Sequence, residues 1–314
     1  MELFKIKPVF KEMIWGGKQM RERYHFDIPS DHTGEAWVVS AHKNGDGIIE
    51  NGRYAGQTLA SVYGTNRTLF GKGSNTNFPL LIKIIDAKQD LSVQVHPEDA
   101  YAKIHENSYG KTECWYVLDC PIKTEMIIGH DLKTKEELKN AIENGLLETK
   151  LNKFEVKKGD FFYIPARTIH AICKNSLIYE VQQNSDITYR VFDYNRVDDK
   201  GNHRQLHVAD ALEVTQIPYV PYITKMKTID APNIKITELV NEEYFSVKKA
   251  DCLGPCEFDI EDEFLIIGCI EGNTEINGIH LRKGEHVIVP NPIRKLNILG
   301  ICTLIISAPK EALL

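Results

Sequence analysis

The sequence lacks the features that would place the protein in a membrane or on nucleic acid. No apolar run approaches the roughly 20 residues that a membrane-spanning helix needs, and residues 1–9 are too mixed and charged for a signal peptide. The formal net charge is −6 over 314 residues, so there is no general basic surface for nucleic acid. We therefore expect neither a membrane nor a nucleic-acid partner.

Paired cysteines are also lacking. The sequence has seven cysteines, which is an odd number, and no two of them form a CxxC pair. A disulfide framework or a structural zinc site normally needs paired cysteines at short spacings. We therefore expect free thiols in a reducing compartment, and we predict that the protein is cytoplasmic.

Short strand-like segments make up most of the rest of the sequence, and Gly, Asn and Asp turns bound most of them. This pattern predicts a mainly β fold built as a sandwich or jelly roll rather than a parallel sheet with crossover helices. The predicted strands are residues 78–85, 91–95, 113–118, 123–128, 161–164, 177–182, 264–270 and 302–307.

Few helices are predicted. One lies within residues 98–105, and a second spans residues 135–142, where Thr134 and Glu137 have the spacing of a capping box and Gly145 is a stop signal. A third is predicted near residues 208–212. The first two would form a small helical insertion in the β fold.

A weak internal repeat predicts two β units. Residues 283–290 (KGEHVIVP) follow the same order as residues 158–165 (KGDFFYIP): a glycine, an acidic residue, four mostly apolar residues and a proline. We predict a catalytic, metal-binding domain over residues 1–216, a proline-containing linker over 217–235 and a degenerate second barrel over 236–314.

Four side chains form a candidate metal site. Gln94 and His96 are two residues apart on a predicted strand and therefore face the same side. Glu113 begins the next strand, and His170 follows the Gly159 to Pro165 segment. Two imidazoles, a carboxylate and an amide oxygen suit Zn²⁺, and one ion per chain is expected.

The spacing of these four residues resembles the cupin double motif, which has HxH and Glu in its first half and Gly, five residues, Pro and His in its second. The resemblance implies two cupin-type β-barrels or jelly rolls. Gln94 stands where the first histidine is usual. The second unit has Gly284 and Pro290 but no histidine after them, so we interpret that unit as structural.

Nearly the whole chain resembles the type 1 mannose-6-phosphate isomerases, most closely their short bacterial form. The resemblance implies a cytosolic isomerase that interconverts mannose 6-phosphate and fructose 6-phosphate through an enediolate, with a sugar phosphate as its small-molecule substrate. The matching stretches are residues 15–17 (WGG), 34–37 (GEAW), 79–87 (PLLIKIIDA), 91–97 (LSVQVHP), 110–113 (GKTE) and 185–190 (SDITYR).

The same resemblance implies roles for individual residues. It implies zinc binding by Gln94, His96, Glu113 and His170. It further implies a catalytic role for Arg190, Lys111 and Asp186, and phosphate binding by Lys83 and Ser92. Arg190 is a poor general base because its pKa lies above about 12, so we expect it to stabilise negative charge.

Two other functions stay open at the level of sequence. The first is an iron or manganese cupin oxygenase, although the glutamine at position 94 favours a metal without redox chemistry. The second is a non-enzymatic cupin that binds sugars. Nothing in the sequence indicates an oligomeric state.

Overall fold

β-Strands are the dominant regular structure in a computed structural model, which describes residues 2–73, 75–198 and 200–313. The strands up to residue 192 are β1 (Phe4–Lys7), β2 (Val9–Gly17), β3 (Thr33–Val39), β4 (Ala41–His42), β5 (Gly45–Asp46), β6 (Ile48–Ile49), β7 (Leu80–Ala87), β8 (Val93–Val95), β9 (Glu113–Asp119), β10 (Thr124–His130), β11 (Leu151–Val156), β12 (Phe161–Ile164), β13 (His170–Ile172), β14 (Ser176–Gln183) and β15 (Tyr189–Phe192). The later strands are β16 (Lys227–Ala231), β17 (Ile234–Asn241), β18 (Phe245–Leu253), β19 (Cys256–Asp259), β20 (Leu265–Ile276), β21 (Ile279–Arg282), β22 (His286–Val289), β23 (Lys295–Leu299) and β24 (Ile301–Pro309). The α-helices are α1 (Gln19–Tyr24), α2 (Leu59–Thr65), α3 (Asp99–His105), α4 (Lys135–Glu143) and α5 (Val208–Val214).

The predicted fold class is confirmed, and each of the eight predicted strands overlaps an observed one. The sheets have jelly-roll-like order, but within the described residues none closes into a barrel, since each has free edge strands. The three predicted helices are α3, α4 and α5, while α1 and α2 were not predicted.

Two further expectations concern membranes and thiols. None of the described helices is long and apolar enough to cross a membrane. All seven cysteines are free thiols.

The start of α4 shows how local sequence sets an element. Thr134 Oγ1 accepts the backbone N–H of Glu137 at 3.1 Å, as the capping box predicts. The Glu137 carboxylate accepts the N–H of Lys133 at 2.8 Å instead of that of Thr134. Gly145, with φ 67°, adopts the left-handed conformation that ends the helix.

Two facing sheets form the N-terminal body. A five-stranded sheet has the order β11-β10-β13-β8-β15, and a six-stranded sheet has the order β12-β9-β14-β7-β2-β3. One apolar cluster joins them, with Ile85, Trp115 and Ile178 from the six-stranded sheet against Met126 and Ile172 from the five-stranded sheet. Polar side chains on the facing surfaces must therefore lie in the interior between the sheets.

An eleven-stranded sheet dominates the C-terminal part and also includes two N-terminal strands. β1 pairs with β22 in antiparallel register, with Phe4 opposite Ile288, and β6 pairs with β1. The segment 217–235 predicted as a linker contains the exposed strand β16, which pairs only with β17. The division into domains stays a prediction, and the two predicted units share this sheet.

The repeated glycine turn has one geometry in both units. Gly159 has φ 92° and Gly284 has φ 91°. The Gly159 N–H donates to the carbonyl of Val117 at 2.8 Å, and the Gly284 N–H donates to that of Cys269 at 2.7 Å. Val117 and Cys269 are therefore equivalent positions, and counting back along β9 and β20 places Leu265 where the first unit has Glu113. An apolar residue there removes a metal ligand from the second unit.

Candidate active site

One strand of the five-stranded sheet, β8, carries Gln94 and is followed directly by His96. Val93 and Val95, which alternate with them, are fully buried in a cluster that includes Leu138 of α4 and Ala211 of α5. Because adjacent strand residues face opposite sides, packing of the two valines against the helices turns Gln94 and His96 toward the space between the sheets.

The structure brings the four predicted metal ligands together. His170 lies directly opposite Gln94 in the β13–β8 pair, and Glu113 enters from the facing sheet at the start of β9. His96 Nε2 is 3.4 Å from Glu113 Oε2, and His170 Nε2 is 3.4 Å from Glu113 Oε1. Gln94 Nε2 is 3.4 Å from His170 Nε2, and turning the amide over would present its oxygen there.

The donor atoms fit a bound cation. Ligand atoms of His96, Glu113 and His170 all lie within 4.8 Å of one another, and all three residues are buried. Among the described residues, neither ring nitrogen of His96 has a hydrogen-bond partner, while Glu113 Oε2 lies 3.2 Å from Lys111 Nζ. Buried polar atoms without a partner are costly, so a metal ion is the natural ligand for them.

Backbone contacts fix the orientation of this cluster. His170 Nδ1 donates to the carbonyl of Thr168 at 2.9 Å, which leaves the Nε2 lone pair directed at Glu113. The N–H of Arg167 donates to the carbonyl of His96 at 2.7 Å, so the segments that carry the two histidines are joined directly.

The electrostatics keep the ligands in their metal-binding forms. Burial lowers the pKa of His96 to about 3 and also lowers the pKa of His170. Burial alone would raise the pKa of Glu113, but Lys111, His96 and His170 outweigh it and hold that pKa well below its usual range. At neutral pH the cluster therefore consists of two neutral imidazoles and one carboxylate.

A cavity of about 300 Å³ opens beside the cluster and contains the other predicted residues. Its walls include Gln94, Lys83, Ser92, Lys111, Asp186 and Arg190. Ser92 is buried, and its hydroxyl donates to Gln94 Oε1 at 3.3 Å. Lys111 is also buried, with its Nζ 3.2 Å from Glu113 Oε2. Because Lys111 is buried, it is not a solvent-exposed loop lysine.

Arg190 lies next to the ligands because it is directly opposite Gln94 in the β15–β8 pair. The row His170–Gln94–Arg190 thus crosses three strands on one face of the sheet. Arg190 donates from one terminal nitrogen to the carbonyl of Gln205 at 2.7 Å, while its Nε is buried without a hydrogen-bond partner among the described residues. The guanidinium therefore has a donor free for a ligand in the cavity.

Asp186 lies at the exposed rim of the cavity. Its carboxylate accepts a hydrogen bond from Asn44 Nδ2 at 3.1 Å. Within the described part of the chain no ion pair joins it to Arg190, whose guanidinium donates to Gln205 instead. The Asp186 carboxylate can therefore contact a ligand bound in the cavity.

Lys83 belongs to a buried charge network that the sequence did not reveal. β7 lies inside its sheet, and Lys83 Nζ is 3.2 Å from Glu180 and 3.6 Å from Glu35. Trp115 Nε1 donates to both Glu180 and the ligand Glu113, at 3.2 Å and 3.0 Å. Glu180 and Glu35 also line the cavity. One feature of the sequence indicates that Glu180 is part of this network: it is an acidic residue in an otherwise apolar strand segment.

We expect Lys83→Met to destabilise the protein more at alkaline than at acidic pH. The change leaves buried Glu180 without its cation, at a cost of about 3–5 kcal/mol. Burial and the nearby Glu113 already raise the pKa of Glu180. Losing Lys83 raises it further above the pKa in the unfolded chain, so stability is kept at low pH and lost as the pH rises.

Thermal unfolding of the variant and the wild type between about pH 5 and about pH 8 measures this effect. Lys88→Met is the matched control, since Lys88 is exposed just beyond the same strand. A destabilisation of Lys83→Met that does not change with pH would contradict the assigned pairing.

Comparisons with known proteins agree with this geometry. Residues 3–130 match the family described as phosphomannose isomerase type I, catalytic domain, and residues 235–309 match that described as mannose-6-phosphate isomerase, cupin domain. The mannose-6-phosphate isomerase ManA of Bacillus subtilis is 44% identical over 306 residues, covering 96% of this chain and 97% of that protein. The mannose-6-phosphate isomerase of Streptococcus mutans is 42% identical over 302 residues, covering 95% of each protein. The crystal structure of the Bacillus subtilis mannose 6-phosphate isomerase superposes with a TM-score of 0.95 at 43% identity, covering 98% of this chain and 99% of that chain.

Proposed function

Because this chain belongs to the type I phosphomannose isomerase family, we propose that it interconverts mannose 6-phosphate and fructose 6-phosphate at a zinc ion bound by Gln94, His96, Glu113 and His170. The observation that carries the proposal is the buried group of His96, Glu113 and His170, which lies beside a polar cavity that Gln94 and Lys111 line.

The donor set favours zinc as the ion, one per chain. Two neutral imidazoles, a carboxylate and an amide oxygen form a borderline site that suits Zn²⁺. When bound there, zinc supplies Lewis acidity that polarises the carbonyl and hydroxyl oxygens of a sugar without redox chemistry.

Positively charged side chains of the protein stabilise the enediolate as it forms. Isomerisation moves a proton between C1 and C2 and places negative charge on O1 and O2. Arg190 lies opposite Gln94 and has a free donor, so its fixed charge stabilises that oxygen charge. Lys111, held against Glu113, is placed to donate to the same oxygens.

Asp186 is the proposed carrier of the carbon-bound proton. Its carboxylate lines the cavity and has no cation paired to it among the described residues, so it is free to accept a proton from C2 and return it to C1. Ser92 supplies a hydroxyl for the phosphate. Lys83 lines the same cavity, but two carboxylates already balance its charge.

We further propose that the enzyme is cytoplasmic. Seven free cysteines, most of them buried, are typical of a protein that folds in a reducing compartment.

A coupled assay on metal-replete protein tests the activity. We expect conversion of mannose 6-phosphate to fructose 6-phosphate without oxygen uptake. Oxygen consumption with Fe²⁺ would favour a cupin oxygenase, and sugar binding without turnover would favour a non-enzymatic cupin. Failure to convert any hexose 6-phosphate would end the proposal.

A further inference from the structure

An excess of positive charge lies at one end of the cavity. Asp193 is only 5% exposed, and its carboxylate accepts two hydrogen bonds from Arg204, from Nε at 2.8 Å and from a terminal nitrogen at 2.6 Å. The same carboxylate pairs with Arg196. Arg190, on β15 just before Asp193, brings a third guanidinium nearby. Two guanidiniums therefore share a single carboxylate, and a third lies close to them.

Among the residues that the structure describes, no further carboxylate of the cavity wall pairs with these arginines. Arg204 and Arg190 both line the cavity, and the charge of Arg204 together with burial lowers the pKa of Arg190. The carboxylates on the opposite wall are already engaged, Glu180 and Glu35 by Lys83 and Glu113 by Lys111. Asp186 is at the rim and is hydrogen-bonded to Asn44. Three guanidiniums and one carboxylate leave a net charge of about +2 at this end of the cavity, which a phosphate dianion would balance.

The strand register places this charge at a defined distance from the metal ligands. β15 runs antiparallel to β8, with Arg190 opposite Gln94 and Phe192 opposite Val93. Asp193, which follows β15, therefore comes beside Ser92, which precedes β8. Ser92 is two residues from Gln94, about 6.6 Å along a strand. This separation suits a six-carbon sugar whose reacting end meets the metal and whose other end carries the phosphate.

We propose that Arg204, held in place by Asp193, binds the phosphate group of the substrate together with Ser92 and selects phosphorylated over unphosphorylated sugars. Two donors of the Arg204 guanidinium are fixed by Asp193, so its fork is oriented before the substrate arrives. The inference rests on the proposed isomerase function and names the group that recognises its substrate.

Lys83 is the competing phosphate cation, and charge argues against it. Its ammonium lies between Glu35 and Glu180, so the local charge around it is negative before any ligand arrives. Arg204 shares its one carboxylate with Arg196, so the charge around it is positive. A dianion is therefore attracted to the Arg204 end of the cavity.

Arg204→Gln tests the assignment with inorganic phosphate as the probe. We expect the KM for mannose 6-phosphate and the Kd for inorganic phosphate, measured by calorimetry, each to rise about tenfold or more, because a charge-assisted contact is lost. The kcat should stay within about twofold, since the phosphate does not react. Arg204→Lys keeps the charge but loses the fork, so it should recover part of the affinity.

Controls separate binding from folding. Arg294→Gln removes an exposed arginine just before β23 and should change neither constant. Unfolding temperature and zinc content verify that Arg204→Gln is folded and loaded, and Arg204→Lys provides a second variant if it is not. Unchanged phosphate affinity in both folded variants, or a fall in kcat alone, would overturn the role of Arg204. Absence of turnover by the wild type would instead overturn the isomerase proposal, while the phosphate titration would still report on Arg204.

Discussion

Treatment with a chelator should abolish conversion of mannose 6-phosphate, and added zinc should restore it. The physical reason is that the ring nitrogens of His96 are buried without a hydrogen-bond partner among the described residues, and that the cation beside Glu113 Oε2, Lys111, is an ammonium and cannot act as a Lewis acid. Without the ion, the substrate carbonyl would lose its Lewis acid, and hydrogen-bond donors such as Arg190 and Lys111 would polarise it less strongly. Loss of several kcal/mol of charge stabilisation corresponds to a fall in kcat of about a thousandfold or more.

Metal analysis must accompany the assay. Protein dialysed against chelator and then against zinc should regain turnover in proportion to bound zinc, up to one ion per chain. His170→Ala should lose both zinc and activity, because its Nε2 is 3.4 Å from Glu113. His280→Ala is the matched control, since that side chain is 83% exposed on the C-terminal sheet. Full activity of metal-free protein would contradict the metal site.

Arg190→Ala should lower kcat by about 10²–10³ while zinc stays bound. The side chain lies opposite Gln94 and touches none of the metal ligands through an ion pair within the described residues, so its loss leaves the donor set intact. Removing one preoriented donor from a developing oxyanion typically costs about 2.7–4 kcal/mol.

Kinetics and zinc content together decide the role of Arg190. The KM should change less than kcat, because the interaction is strongest in the transition state. Arg282→Ala, an exposed arginine on β21, controls for loss of surface charge. If Arg190→Ala loses its zinc or fails to fold, Arg190 is a structural residue and not a catalytic one.

Local patterns predicted the elements and the composition of the metal cluster. The alternation of Val93 and Val95 with Gln94 and His96 indicated which side chains share a face, and the buried valines confirm that face. The capping box at Thr134 located the start of α4. These signals act over a few residues, so they can be recognised without knowing the tertiary structure.

Contacts set by strand register could not be predicted. Lys83 meets Glu180 because β14 lies beside β7, and it meets Glu35 because β3 does so on the other side. Arg204 lies in a loop without periodicity, and its contact with Asp193 and the bridge between His203 and Val197 hold it at the cavity. Pairings between residues far apart in sequence depend on the whole sheet order, which short motifs do not specify.

The pairing of β1 with β22 has a consequence for synthesis of the protein. β1 meets β22 only after almost the whole chain has been translated, although β6, which pairs with its other edge, is translated early. Until then the backbone amides and carbonyls on the β22 side of β1 stay open to other chains. Translation that stops before residue 286 would therefore release a chain in which β1 has one unpaired edge, which favours chaperone binding or aggregation.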